Sequence, residues 1–249
     1  MSSAIYPSLK GKRVVITGGA SGIGAALVAG FTRQGAHVAF LDILQDEGRA
    51  LAGSMKAECG CSPVFHACDL TDLEAISRTF AAIGPVDVLV NNAANDDRHV
   101  LAEVTPAYWD DRMAVNLRHL LFCAQAVAPG MKAAGAGVII NFSSIAWHLG
   151  LPGLVLYETA KAGIVGMTRG MARELGPEGI RVTAIVPGNV KTPRQMQWYS
   201  PEGEAEIVAQ QCLAERIEPE HVAALALFLA SDDGRMCTGH EYWVDAGWR

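Results

Sequence analysis

The sequence lacks two features that would point to a large partner. Its 249 residues contain no run of about 20 apolar residues, which a membrane-spanning helix needs. They also contain no cluster of lysine and arginine, and the formal net charge is −6 at pH 7. A nucleic-acid surface needs a basic stripe instead. We therefore expect no membrane and no nucleic acid among the partners, and a small molecule as the ligand.

The cysteines lack the spacing of a metal site or of a disulfide framework. No Cys-x-x-Cys pair and no histidine cluster accompanies Cys59, Cys61, Cys68, Cys123, Cys212 and Cys237. We expect no metal and interpret them as reduced thiols, mostly small buried apolar groups, with a surface redox pair at Cys59 and Cys61 as the alternative. Residues 1–6 have neither the basic nor the apolar region of a secretory signal, so the cytoplasm is the expected location.

Short apolar runs alternate with helix-like segments along the whole chain. The seven runs are Val14–Thr17, Val38–Leu41, Val64–His66, Val86–Val90, Val138–Phe142, Ile180–Val186 and Glu241–Val244. They lack polar alternation, which is typical of strands covered on both faces. The pattern predicts one α/β domain over residues 1–249, with a doubly wound, mostly parallel, seven-stranded sheet and helices on both faces. Thr71, with Glu74 three residues later, predicts a capping box at a helix start.

A glycine turn follows the first of these runs and precedes a helix-like segment. Its residues include Gly18, Ser21, Gly22, Ile23 and Gly24. Glycines let the backbone approach a pyrophosphate, and a helix N-terminus offers free N–H groups with a partial positive charge. The alternative is a tight turn that binds nothing. Asp42 favours binding, because it ends the second run, where a carboxylate can accept hydrogen bonds from an adenosine ribose. Together these features predict a Rossmann-type domain.

Asp42 also favours NAD over NADP. A carboxylate at this position repels a 2′-phosphate. No arginine or lysine stands at the neighbouring positions Ala20, Ser21, Ile43 and Leu44 to bind one.

A tyrosine and a lysine four residues apart suggest an acid/base pair. Tyr157 and Lys161 share one face if this segment is a helix, and Ser144 stands thirteen residues before the tyrosine. A phenol has a pKa near 10, and a nearby cation favours the phenolate. The same spacing also occurs on ordinary exposed helices. The glycine turn upstream is what favours a catalytic role.

These features occur in the order that is typical of the short-chain dehydrogenases/reductases, which the chain resembles over essentially its whole length. The matching pieces are residues 17–24, Asp42, Asp69, residues 91–94, Asn116, Ser144, Tyr157, Lys161 and residues 187–192. The resemblance implies an NAD-dependent oxidoreductase whose catalytic residues are Asn116, Ser144, Tyr157 and Lys161. It implies cofactor contacts at Gly18, Ser21, Gly22, Ile23, Gly24, Asp42, Asp69, Leu70, Asn92, Ala93, Tyr157, Lys161, Pro187, Gly188, Val190 and Thr192. One departure is Ala94, where the family usually has glycine.

The resemblance also implies roles for individual residues. Tyr157 is the base, and Lys161 binds the nicotinamide ribose and lowers the pKa of Tyr157. Asn116 holds a water relay from Lys161 to solvent, with a helix kink stabilised by its amide as the alternative. Asp69 contacts the adenine, although helix entry alone would also explain an acid there.

Within this family the chain is most similar to bacterial NAD-dependent sugar 1-dehydrogenases. The segments that carry this likeness are residues 95–99, 147–150, 189–199 and 239–249. The likeness implies oxidation of a cyclic aldose, with D-xylose as the expected sugar, to its lactone. Sugar pockets combine flat apolar faces with amides, and the expected contacts are Asn95, Ser144, Trp147, Tyr157, Asn189 and Gln195. Two alternatives stay open: a family member acting on another sugar, an alcohol or a ketoacyl substrate, and a catalytically silent NAD-binding protein.

The family commonly forms tetramers, and two features of the chain favour a homotetramer. Small residues recur along the segment 157–175, where they allow another backbone to approach. The large tail residues Tyr242, Trp243 and Trp248 would form an apolar patch if nothing covered them. The alternative is that the small residues pack only on their own sheet.

Overall fold

A computed structural model describes residues 4–248 and contains one central sheet. Its seven strands pair in the order β3-β2-β1-β4-β5-β6-β7, and every pairing is parallel. The strands are β1 Arg13–Thr17, β2 His37–Asp42, β3 Val64–Ala67, β4 Val88–Asn91, β5 Gly137–Phe142, β6 Ile180–Pro187 and β7 Glu241–Val244. The predicted fold class is confirmed. The predicted domain range includes residues 1–3 and 249, which lie outside the described residues.

Helices connect the strands and cover both faces of the sheet. They are α1 Gly22–Arg33, α2 Gln45–Cys59, α3 Leu73–Ile83, α4 Pro106–Met113, α5 His119–Ala134, α6 Ala146–Leu149, α7 Val155–Leu175, α8 Pro201–Ala209 and α9 Pro219–Ala230. A π-helical turn, Ala114–Arg118, joins α4 to α5. Short 3-10 turns lie at Pro7–Leu9, Leu101–Glu103, Gly176–Glu178, Gln195–Gln197 and Asp232–Gly234. Within the described residues, no helix combines the length and apolar character needed to cross a membrane.

Five strands, β1, β2, β4, β5 and β6, are rich in apolar residues because each contributes to two separate cores. On β1, Val14 and Ile16 point to a core completed by α1 and α9, whereas Val15 points to a second core completed by α3 and α5. Full burial of one such side chain contributes about 1.5–3 kcal/mol. This two-sided burial is the physical reason for the missing polar alternation in the sequence.

Three buried polar side chains join the centre of the sheet to α7. Asn91 Nδ2, at the end of β4, donates to Asn141 Oδ1 on β5 at 2.9 Å. Asn141 Nδ2 then donates to Thr168 Oγ1 on α7 at 3.0 Å. Because buried polar groups are costly unless they are paired, this ladder fixes α7 relative to the carboxyl ends of β4 and β5.

The start of α3 differs from the sequence prediction. Asp72 is the N-cap, and its Oδ1 accepts hydrogen bonds from the backbone N–H groups of Glu74 and Ala75. The predicted capping box at Thr71 is wrong, because the Thr71 hydroxyl donates to Asp69 Oδ1 at 2.7 Å. An adjacent aspartate therefore takes the capping position.

Candidate active site

The carboxyl ends of the parallel strands open into a cleft with a volume of about 480 Å³. Its walls come from the ends of β1 to β6 and from α7. The strand order reverses at β1, which lies between β2 and β4. Crevices at such a reversal are the usual ligand sites of open α/β sheets.

The cleft brings together residues that lie far apart in the sequence. Every predicted cofactor contact lines it, namely Gly18, Ser21, Gly22, Ile23, Gly24, Asp42, Asp69, Leu70, Asn92, Ala93, Tyr157, Lys161, Pro187, Gly188, Val190 and Thr192. The lining also includes the predicted catalytic or substrate residues Ser144, Asn95, Asn189 and Gln195. Asn116 and Trp147, by contrast, are not among the described lining residues.

Backbone contacts hold the glycine turn at the cleft floor. Gly18 has a φ of +65°, and a Cβ on it would lie 2.7 Å from Ala93 Cα. A Cβ on Gly24 would lie 1.8 Å from the Gly18 carbonyl oxygen. Ser21 precedes α1 without a side-chain cap, and the first turn of α1 has no acid. Its N–H groups and the helix dipole are thus available to an anion, and the turn fits the diphosphate of a dinucleotide.

A carboxylate marks the β2 end of the cleft. Asp42 Oδ2 accepts the Ala20 N–H at 2.9 Å, and Oδ1 accepts the Leu44 N–H at 3.0 Å. A carboxylate oxygen accepts about two hydrogen bonds, so Asp42 can hold the turn and still accept ribose hydroxyls. Ile43 and Leu44 add exposed apolar surface beside it, which suits a base. The basic side chains among the described lining residues, Arg98, Lys161 and Arg194, come from elements other than β2.

The reactive pair lies on α7, facing the end of β5. Lys161 Nζ lies 5.3 Å from the centre of the Tyr157 ring, as expected for positions one turn apart. The lysine is only 2% exposed, and its Nζ donates to the Phe142 carbonyl at 2.8 Å. Ser144, two residues beyond β5, accepts the Ala146 N–H on its Oγ at 3.1 Å. The serine hydroxyl thus retains its own proton for a second partner.

Burial dominates the protonation of both groups on α7. It raises the pKa of Tyr157 well above the usual range, and the Asp96 charge raises it further, whereas Ser144 and Arg194 oppose this. Burial also lowers the pKa of Lys161 to about 7, against the opposing charge of Asp96. For Tyr157, burial outweighs the effect of the charged groups that act on its pKa, Asp96 and Arg194. That Lys161 lowers the pKa of Tyr157 stays a prediction.

Asn116 lies in the π-helical turn and is fully buried. Its Oδ1 accepts the Asn95 N–H at 2.8 Å, and its Nδ2 donates to the Asn95 carbonyl at 2.9 Å. The amide therefore ties the junction of α4 and α5 to the segment after β4. This agrees with the kink alternative, and π turns are frequent at functional sites. The water relay through Asn116 stays a prediction.

The predicted substrate amides already have protein partners. Asn95 Oδ1 accepts from Arg194 Nη2 at 3.0 Å and from the Asp97 N–H at 2.9 Å. Gln195 Nε2 donates to Asp96 Oδ2 at 2.7 Å. These contacts connect the segment after β4 with the segment after β6 across the mouth of the cleft. The amides of Asn95 and Gln195 are therefore partly engaged within the protein and not wholly free for a ligand.

Asn189 has two partners as well. Its Nδ2 donates to the Tyr199 hydroxyl at 2.9 Å, and its Oδ1 accepts from Arg216 Nη2 at 2.9 Å. Tyr199 lines the cleft. Since its oxygen accepts from Asn189, its own proton stays available for a ligand.

Trp147 lies behind the serine segment, in contrast to the expected sugar contact. Its Nε1 donates to Ser143 Oγ at 3.1 Å. Its ring lies 3.5 Å from the His148 ring centre, which is 4.3 Å from that of Trp243 on β7. Trp147 therefore braces the serine segment against the edge of the sheet.

Several lining residues were not predicted from the sequence. Among them are the polar or aromatic side chains Asp96, Arg194, Tyr199 and Trp248. All four belong to the segments that resemble sugar 1-dehydrogenases. The signal that was available for Asp96 is a carboxylate directly after a predicted substrate residue. Within the described residues, no three His, Cys, Asp or Glu side chains form a group that could hold a metal ion.

The chain is similar to known proteins over its whole length. Residues 18–249 match a family model described as enoyl-(acyl carrier protein) reductase. The chain is 72% identical over 249 residues to a D-xylose 1-dehydrogenase of Caulobacter vibrioides, and the alignment covers 100% of both chains. It is 46% identical over 252 residues to the "Probable galactose dehydrogenase GalD" of Rhizobium meliloti, covering 99% of this chain and 98% of that protein. It also resembles a solved 3-oxoacyl-(acyl-carrier protein) reductase with bound NAD from Brucella melitensis, at 33% identity and a TM-score of 0.89, covering 98% of this chain and 93% of that chain.

Proposed function

Because the chain belongs to the short-chain dehydrogenase/reductase family, we propose that it is an NAD-dependent aldose 1-dehydrogenase that oxidises D-xylose to its lactone. The observation that carries this proposal is the 72% identity to a D-xylose 1-dehydrogenase over 100% of both chains. The grouping of Ser144, Tyr157 and Lys161 in one cleft supports it. A silent NAD-binding protein would have no need of this group.

The chemistry follows from the side chains around Tyr157. When bound, NAD supplies the acceptor for the hydride that leaves C1 of the sugar. In its phenolate form, Tyr157 accepts the proton of the C1 hydroxyl, so the carbon is oxidised to the lactone carbonyl and one proton is left on the enzyme. Ser144 donates a hydrogen bond to the reacting oxygen and holds it in position. Lys161 would bind a ribose hydroxyl of the cofactor and, with a pKa of about 7, is suited to pass on a proton near neutral pH.

The cofactor is NAD rather than NADP in this proposal. Asp42 supports the choice, because its carboxylate lies at the β2 end of the cleft and would repel a 2′-phosphate. Gly18, Gly24 and the start of α1 would hold the diphosphate. Asp69 and Leu70 would contact the adenine.

A related enzyme acting on an acyl-carrier substrate is the second candidate. The family model that matches the chain and the similar Brucella melitensis structure are both described as reductases of acyl-carrier substrates, which favours this candidate. Docking of an acidic carrier needs a basic patch near the cleft mouth. Arg194 is a poor contributor to such a patch, because its guanidinium is bonded to Asp96 and Asp97.

We also propose that residues 1–249 form one domain and that four copies of the chain assemble into a homotetramer. Trp109 on α4, Leu121 on α5 and Val155 on α7 are each more than two-fifths exposed, as is Trp243 on β7. These positions support two separate contact surfaces, each meeting its own copy across a two-fold axis. A cytoplasmic location, where NAD and free sugars are both available, completes the proposal.

The direct test is to measure NADH formation by the purified protein. Pentoses, hexoses and simple alcohols are compared, with an oxoacyl thioester and NADH for the reverse reaction. The highest kcat/KM is expected for D-xylose with NAD. The Tyr157→Phe variant is the matched control that assigns the activity to this cleft. Turnover of the oxoacyl thioester without oxidation of any aldose would contradict the proposal.

A further inference from the structure

Asp96 lies in the segment after β4 and lines the cleft together with Tyr157 and Lys161. Its Oδ1 accepts from Arg194 Nε at 2.7 Å, and its Oδ2 accepts from Gln195 Nε2 at 2.7 Å. The carboxylate side chain is 25% exposed. Two donors from the segment after β6 thus fix its orientation without covering it.

The electrostatic effects show how close this carboxylate is to the chemistry. Its charge raises the pKa of Tyr157 and also that of Lys161. Among charged groups, Asp96 has the largest effect on the pKa of either residue. A ligand that reaches Tyr157 will therefore lie within the field of Asp96.

The remaining hydrogen-bonding capacity of Asp96 matches the hydroxyls of a sugar. An ionised carboxylate offers about four acceptor positions, and Arg194 and Gln195 use two of them. In Asn189, by contrast, both ends of the amide have protein partners. Sugar hydroxyls beyond the reacting one are donors that need such acceptors.

We propose that Asp96 determines the sugar specificity by accepting a hydrogen bond from an aldose hydroxyl other than the one oxidised, with Arg194 and Gln195 as positioning residues. This inference rests on the proposed function. It assigns to Asp96 the recognition role that the sequence assigned to its neighbour Asn95. It also predicts that a hydroxyl-poor substrate gains nothing from this residue.

Asp97 offers a matched control. It stands next in the chain, and its carboxylate also accepts from Arg194, at 2.6 Å, and from Arg112, at 3.2 Å. It is not among the described residues that line the cleft. Asp97→Asn therefore weakens the same ion-pair group without removing a group that faces the sugar.

The first experiment compares Asp96→Asn with Asp97→Asn on D-xylose. Asp96→Asn is expected to lower kcat/KM by about 10- to 100-fold, mainly through KM, because hydrogen bonds to charged groups are among the strong ones. Asp97→Asn is expected to change it by less than about threefold, the usual size for an exposed pair. NADH binding, measured by fluorescence, should stay unchanged in both and shows that each variant is folded. If Asp96→Asn fails to bind NADH, Asp96→Ser replaces it.

The second experiment is a double-mutant-type cycle that combines one substitution in the enzyme with one deletion in the substrate. The 2-deoxy, 3-deoxy and 4-deoxy analogues of the pentose are each measured with the wild type and with Asp96→Asn. One analogue should lose as much kcat/KM in the wild type as the substitution does, and lose little more in the variant. Such non-additivity identifies a direct partner. A structural role in closing the mouth would lower the rates of all analogues equally.

Two negative results have different meanings. Equal, additive losses across all analogues in Asp96→Asn would overturn the role of Asp96 and leave the enzyme an aldose dehydrogenase. A wild type that oxidises no aldose would instead overturn the proposed function, and with it the sugar contact. An unchanged KM for D-xylose in Asp96→Asn would likewise reject the inference.

Discussion

The two ends of the cleft are built in different ways. At the cofactor end, the glycine turn and the start of α1 are held by backbone contacts, such as the approach of Gly24 to the Gly18 carbonyl. At the end that we propose binds the sugar, side chains from two distant segments hold each other, as Arg194 and Asp96 do. The first arrangement leaves almost no freedom of residue type. The second can change its polar groups while the fold stays the same, which is how one family can serve many substrates.

Tyr157, where the two ends meet, should give the largest effect. Tyr157→Phe removes the proton acceptor and keeps the ring, so turnover should fall by about 10²–10⁴-fold or more. NADH affinity should change little, since the phenol is not required to hold the dinucleotide. Steady-state kinetics and NADH titration check both statements. A variant with near wild-type kcat would contradict the assigned base.

Gly24→Ala tests the rigidity of the cofactor end. The new Cβ would lie 1.8 Å from the Gly18 carbonyl oxygen, so the turn must move, and overpacking of this kind costs about 1–3 kcal/mol or more. We expect a tenfold or greater loss of NADH affinity. Gly53→Ala on α2 is the control, because a Cβ there meets no atom within 4 Å. Equal affinities in the two variants would show that the turn is not rigid.

Asp42→Asn tests whether the negative charge of Asp42 determines the choice of NAD over NADP. The amide keeps an acceptor for the Ala20 or Leu44 N–H but removes the negative charge. The preference for NAD over NADP should narrow by about tenfold or more. Asp46→Asn on α2 is the control, since its side chain is 98% exposed. Equal kcat/KM values for NAD and NADP in the wild type would reject this role.

The smallest expected effect concerns stability and involves Lys161. Burial lowers its pKa to about 7 in the folded protein, from 10.5. The unfolded chain then binds more protons between these values, so the free energy of unfolding should rise with pH from about 7 upward. Lys161→Met should remove this rise, on the order of 1–2 kcal/mol between pH 6 and 8, and stabilise the protein below pH 7. Denaturant unfolding at several pH values measures it.

Lys132→Met serves as the control for that experiment. Lys132 is an exposed lysine on α5, so its replacement should leave the pH dependence as in the wild type. A pH-independent stability of the wild type over this range would contradict the burial of a titrating Lys161.

The same contrast explains what the sequence could predict. Strands with apolar runs and a glycine turn before a helix are local patterns, so all seven strands were predicted and the expected cofactor residues line one cleft. The contact between Asp96 and Arg194 joins positions 98 residues apart and leaves no local pattern. Trp147 was expected at the sugar because it follows the serine segment, yet its indole turned to Ser143. The pKa of Tyr157 depends on burial, which spacing along a helix does not reveal.

The cleft is assembled from the ends of six parallel strands, and its described lining extends from Gly18 to Trp248. It can therefore exist only when the whole sheet has formed, since each parallel pairing joins segments that are far apart in the chain. A dinucleotide that binds the native cleft and not the unfolded chain stabilises the entire protein by mass action. NADH should thus raise the melting temperature in proportion to the logarithm of its concentration, and its fluorescence should serve as a probe of complete folding.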